Sequence, residues 1–157
     1  MPRSIPTPEM ALKKAESYCA YQERSQQEVR DKVYSWGLHS REVEQIISKL
    51  IDSGFLKEER FASAFAGGKF RIKKWGKVKI RRALQEKKVS EPLIRKALSE
   101  IDERDYAKTL QDVIRQRSKK VPEKNPVRKK YKLATYAISR GFEPELVWEI
   151  ISNLEER

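Results

Sequence analysis

One cysteine, one histidine and six glycines in 157 residues leave little room for several kinds of chemistry. With Cys19 alone, no disulfide can form within the chain and no thiolate cluster can hold a metal. His39 has no matched cysteine or carboxylate cluster, so neither a zinc-type ligand set nor a histidine base is expected, and no cofactor is called for. Gly67 and Gly68 stand together, but no Lys-Ser/Thr follows them, so they do not make a phosphate loop. No apolar run approaches the length that spans a bilayer, and Pro2, Arg3, Ser4 and Pro6 do not begin a signal peptide. These shortages together describe a cytoplasmic protein that is not an enzyme.

Charge is abundant. Charged residues make up 37% of the chain against 38% hydrophobic, and the formal net charge is +12. A balance of this kind suits thin helical layers with an ionic surface, and points to a polyanionic partner, nucleic acid first. The excess is localised. Residues 1–58 hold nine Lys/Arg and nine Asp/Glu, 59–96 hold thirteen and three, and 117–132 hold eight and one. The remaining segments, 97–116 and 133–157, are net negative.

The chain matches itself at offsets of 51 and 104 residues, and seven columns stay apolar in all three copies. These are Val29, Ile80 and Leu133; Val33, Leu84 and Ala137; Leu38, Val89 and Phe142; Val43, Ile94 and Val147; Ile46, Ala97 and Ile150; Ile47, Leu98 and Ile151; and Leu50, Ile101 and Leu154. Their spacing describes two amphipathic helices and a turn, where a strand would alternate. Ser25 with Glu28 reads as a capping box, Gly37 and Gly141 as helix ends, and Pro92 and Pro144 as first-turn residues.

A further helix precedes each pair: Pro8 to about Gln22, Glu58 to about Lys73 and Arg104 to about Ser118, with bending expected at Gly67 and Gly68. The expected fold is therefore all-α, three tandem three-helix repeats in an elongated, curved molecule. The repeats cover 8–54, 55–102 and 103–157, the second basic and the third with a basic linker around 117–132. Within that stretch, Lys119 to Asn125 reads as the connection itself.

Matched polar positions separate the scaffold from what was added to it. Gln26 corresponds to Lys77 and Lys130, and Glu28 to Lys79 and Lys132, so one face of the second helix is basic only in copies two and three. First-turn amides and the helix dipole would favour an anion at the same place. The candidate DNA- and protein-binding residues are Lys69, Arg71, Lys73, Lys74, Trp75, Lys77, Lys79, Arg81, Arg82, Arg128, Lys129, Lys130 and Lys132. Trp75 fits either a packed interhelix corner or a stacking platform for a base. Trp36 lies in a column with Lys87 and Arg140 and need not be buried, while Trp148 either packs on the longer third copy or marks a protein contact.

The stretch YQERSQQEVRDKV from Tyr21 to Val33, then Gly37, then GFLKEERFASAF from Gly54 to Phe65, resembles the RecX family of recombination regulators. Trp75-Gly76 followed by Ile80 and Leu84 continues the resemblance, which is most specific over residues 18–98. Glu58-Glu59 replaces the family's usual acidic Asp pair, and Lys88 stands where the second copy often has Gly. The resemblance implies a negative regulator of homologous recombination, DNA repair and the SOS response. Such a protein lies on a RecA-type recombinase filament on DNA and inhibits ATP hydrolysis and strand exchange. The expected partners are that filament and DNA phosphates without sequence preference, bound by a monomer.

Two other classes fit less well. A helix-turn-helix transcription regulator would read DNA with its third helices, yet their exposed residues include Arg41, Glu42, Glu44 and Gln45, then Glu91, Arg95 and Lys96, then Glu143, Glu145 and Glu149, and acidic faces enter a phosphate-lined groove poorly. A membrane-surface protein would need bulky apolar residues exposed along the basic helices, which these lack.

Overall fold

A computed structural model describes residues 4–155; Pro2, Arg3 and the last two residues of the third segment lie outside the described residues. These fold into nine α-helices without a strand among the described residues. They are α1 (Pro8–Tyr21), α2 (Gln26–Ser35), α3 (Ser40–Asp52), α4 (Glu58–Arg71), α5 (Lys77–Glu86), α6 (Glu91–Ser99), α7 (Glu103–Lys120), α8 (Pro126–Ser139) and α9 (Pro144–Glu155). The all-α repeat follows directly from the apolar columns. All seven are buried in each copy, except that Leu154 is half-buried against the same core.

Local chemistry sets where these helices begin and end. Ser25 and Glu28 form the reciprocal capping box, and Ser25 is itself buried. Thr7, Asp102 and Asn125 cap α1, α7 and α8 through their side chains. Gly37 and Gly141 take φ of 96° and 99° at the ends of α2 and α8, and Lys88 occupies the matching place after α5 at φ 61°.

α4 passes through Gly67 and Gly68 as one helix, and the Ile72 amide still reaches the Gly68 carbonyl. One local expectation needs correction: the connection expected from Lys119 is shorter, because α7 continues to Lys120. Arg117 stacks 4.4 Å from the Tyr136 ring centroid and Val121 packs on the core, which ties the last turn of α7 down.

The buried side chains form two cores. One holds Ala11 to Leu56 from α1–α3 and the α3–α4 turn, and the other holds Phe61 to Ile151 from α4–α9. No helix is long and apolar enough to cross a membrane among the described residues.

Candidate nucleic-acid interface

The basic stretch of copy two turns a tight corner between α4 and α5. At that corner the Trp75 amide donates to the Lys69 carbonyl and the Lys74 amide to Phe70, with Lys74 in the left-handed region at φ 56°. The turn lays Trp75 on the second core and brings Lys69 Nζ to 4.9 Å and Lys79 Nζ to 4.5 Å from its ring centroid. Trp75 is therefore a half-buried corner with two ammonium groups over its ring, a cation–π arrangement.

Lys77 has a different situation. Its amide donates to the Tyr106 hydroxyl at 2.9 Å, and its Nζ sits 4.8 Å from the Tyr106 ring. The Tyr106 hydroxyl in turn donates to Glu143, and burial together with that carboxylate pushes the phenol pKa up. The next amide, of Val78, donates to the Gly141 carbonyl, and that of Gly76 to Arg140. Such close approach of two chain turns requires glycine on both sides: a Cβ on Gly76 would lie 2.2 Å from the Gly141 carbonyl carbon.

These bonds overturn one expectation. The Lys77 and Val78 amides in the first turn of α5 are not open to an anion, since the third copy already accepts from them, and α8 begins at Pro126, which puts Lys130 and Lys132 beyond its first turn. In α2 the Gln26 amide donates to Glu58 at 2.8 Å, and in α8 the Arg128 amide donates to the Asn125 side chain at 3.1 Å. Phosphate contact on this surface falls to side chains.

Those side chains divide into groups. Lys69, Trp75, Lys79 and Arg82 border the clefts on either side of α5. Lys74 meets Arg117, Lys120 and Arg140 around a small cleft in which Asp112 is the sole carboxylate, and the Arg140 guanidinium donates to the Lys73 carbonyl. Arg81 is tied to Glu91, and Lys132 to Glu123 at 2.9 Å; that bond holds the Glu123 carboxyl below its usual range. Lys129 and Lys130 border a separate cleft with Arg115. Arg71, Lys73, Lys74, Arg82, Arg128 and Lys129 make no ion pair among the described residues.

Sequence reasoning left Arg117, Lys120 and Arg140 out of the candidate set. Arg140 shared a column with Lys87, and Lys120 lay in the basic run. Their meeting with Lys74 depends on how α7 and α8 pack beside the α4–α5 corner. Trp36 is half-buried on the first core with Lys14 Nζ 5.4 Å from its ring, and Trp148 packs edge-on to Tyr131 at 5.1 Å.

Family models described as the first and second three-helix domains of RecX match residues 11–50 and 58–98. Regulatory protein RecX of Prosthecochloris aestuarii is 28% identical over 92% of this chain and 93% of its own length. The namesake from Thermotoga petrophila is 30% identical over 86% of this chain and 78% of its own length. Against longer relatives, such as that of Streptococcus uberis, the chain spans about half the length, 52%. The crystal structure of RecX from Lactobacillus salivarius superposes with a TM-score of 0.86 at 21% identity, over 96% of this chain and 97% of that one, a likeness of fold. With two successive family domains in place and a relative 30% identical across most of both chains, the chain belongs to the RecX family of regulatory proteins.

Proposed function

We propose that this protein is a negative regulator of homologous recombination and DNA repair, which binds a RecA-type recombinase filament on DNA and inhibits its ATP hydrolysis and strand exchange. It acts in the cytoplasm as a monomer, without cofactor or catalysis of its own. The segments 8–54, 55–102 and 103–157 are its units. DNA phosphates are held by the cations of copies two and three, and the near-neutral first copy faces protein.

One observation carries this reading: exposed cations without carboxylate partners gather at the α4–α5 corner and on α7 and α8. Paired cations would have little to offer a phosphate, whereas these release counterions on binding and give a steep salt dependence. The third helices of copies one and three are poor readers of a groove, since Glu44, Glu145 and Glu149 are exposed on them.

The test is titration of the protein into the cognate recombinase's DNA-dependent ATPase. The wild type should inhibit, and a variant with Lys73, Lys74, Lys79 and Arg82 changed to Glu should not, with its helical circular dichroism unchanged. No inhibition by the wild type at any ratio overturns the function, and full inhibition by the variant overturns the assigned surface.

A further inference from the structure

The third copy carries two tyrosines where the other copies have none. Tyr131 corresponds to Gln27 and Val78, and Tyr136 to Lys32 and Ala83. Both border a groove of about 610 Å³ between the end of α7 and α8. On α8, Lys132, Thr135, Tyr136 and Ser139 line it at the three- and four-residue spacing of one helix face. The rest of the lining is Arg117 and Lys120 from the last turn of α7, with Val121 and Pro122 of the connection. No carboxylate borders this groove among the described residues, and the nearby Glu123 is bound to Lys132. The groove runs into the small cationic cleft of about 140 Å³ around Lys74 and Arg140, because Arg117, Lys120 and Tyr136 border both. Two of these cations are already held in position, Arg117 by stacking on Tyr136 and Arg140 by donating to the Lys73 carbonyl.

The aromatic rings of the basic copies differ in what they offer a nucleotide. Trp75 has two ammonium groups over its ring, Tyr136 packs on the second core beneath Arg117, and Tyr106 is buried. Tyr131 is 62% exposed, meets Trp148 edge-on at 5.1 Å, and has no cation over its ring among the described residues. A ring spent on packing would be covered, whereas this one is braced by a neighbour and left open. Phosphates alone do not distinguish one strand from two, since cations meet the backbone of either. A ring beside the cations does, because bases in a duplex are stacked on one another and only an unpaired base brings a free face. The lining side chains Arg117, Lys120, Tyr131, Lys132, Thr135 and Ser139 are all exposed. An open groove of this kind suits a chain passing through it, where a free nucleotide would need an enclosing pocket.

We propose that this groove is a single-strand site, in which an unpaired base of DNA stacks on Tyr131 while Arg117, Lys120, Lys74 and Arg140 hold the flanking phosphates. The assignment rests on the DNA-phosphate part of the reading above, and goes beyond it by giving the third copy a strand preference and naming the ring that supplies it.

The test is fluorescence anisotropy of the full chain with a labelled oligothymidylate and with a blunt hairpin duplex carrying the same number of phosphates. Tyr131→Ala should weaken oligothymidylate binding at least fivefold and duplex binding less than about twofold, with helical circular dichroism unchanged. Tyr131→Phe, which keeps the ring, should stay within about twofold of the wild type on both. Lys120→Gln should weaken both DNAs and lower the salt slope of each by about one. A 5-iododeoxyuridine placed in the oligothymidylate should crosslink to Tyr131 on irradiation. Oligothymidylate binding unchanged in Tyr131→Ala, or lost equally on both DNAs, overturns the proposal. Binding of the duplex without the oligothymidylate overturns it alone and leaves the phosphate reading in place, whereas binding of neither overturns both. Thymidine 5′-monophosphate competing at the oligothymidylate's own concentration also overturns it, by assigning the groove to a free nucleotide. Equal competition by polyglutamate overturns it as well, by reducing the site to charge.

Discussion

Lys88 holds φ at 61° where Gly37 and Gly141 hold 96° and 99°. The left-handed region costs a residue with a Cβ roughly 1–2 kcal/mol, of which glycine's extra freedom in the unfolded chain cancels about 0.5–1 kcal/mol. Lys88→Gly should therefore stabilise the protein by about 0.5–1 kcal/mol, seen as a higher urea midpoint with an unchanged slope. Gly76 behaves oppositely. Its Cβ would strike the Gly141 backbone rather than a side-chain tip, so Gly76→Ala is expected to cost about 3 kcal/mol. Tyr106→Phe leaves the Lys77 amide and the Glu143 carboxylate without their shared hydroxyl, an expected loss of about 1–3 kcal/mol in the same denaturation experiment. The repeat alone marks Lys88 as unusual. The touching glycines are invisible in sequence, because each is an ordinary turn glycine until two copies are packed together.

At the scale of helices, the second helices of copies one and two start on side chains supplied from far along the chain. Gln26 is answered by Glu58 and Lys77 by Tyr106, 32 and 29 residues away. Periodicity and capping boxes are local, so the helices were legible and these partners were not. The expectation of free first-turn amides failed at α5 for that reason. Glu58 carries a pH signature. Burial raises its carboxyl pKa, with the Gln26 amide and Arg30 opposing and Glu28 adding to the rise. A folded-state pKa above the unfolded value means that the folded protein holds the proton more tightly. This group's contribution is then present at low pH and lost as pH rises through the folded value. Glu58→Gln keeps an acceptor for the Gln26 amide without the buried charge. It should match or exceed the wild type in thermal stability at pH 7, and the difference should vanish below about pH 4. A lower melting temperature at pH 7 would show that the charge itself holds the joint.

Over the whole molecule, the two joints are made of different materials. Copies two and three share one core, with Tyr106 set between Phe70 and Phe142. Copy one keeps its own core and meets the rest through Glu23 with Arg60 at 2.5 Å, Glu28 with Lys87 at 3.5 Å and the Gln26 amide with Glu58. Between them lies a cleft of about 810 Å³. Partly exposed ion pairs contribute little and weaken with salt. Native-state hydrogen exchange should therefore find the amides of α1–α3 opening at lower free energy than those of α5 and α8, with the gap widened by Lys87→Glu; equal protection in all three copies would contradict this. The uneven charge was readable from the sequence, but the division into two cores was not, since the same apolar columns run through every copy. A body built this way bends most readily at the ion-paired joint between the first and second copies, while the glycine-to-glycine contact sets the spacing of the α4–α5 corner from α8, so that on the proposed reading a polyanion lying across both would be measured against a ruler of fixed length.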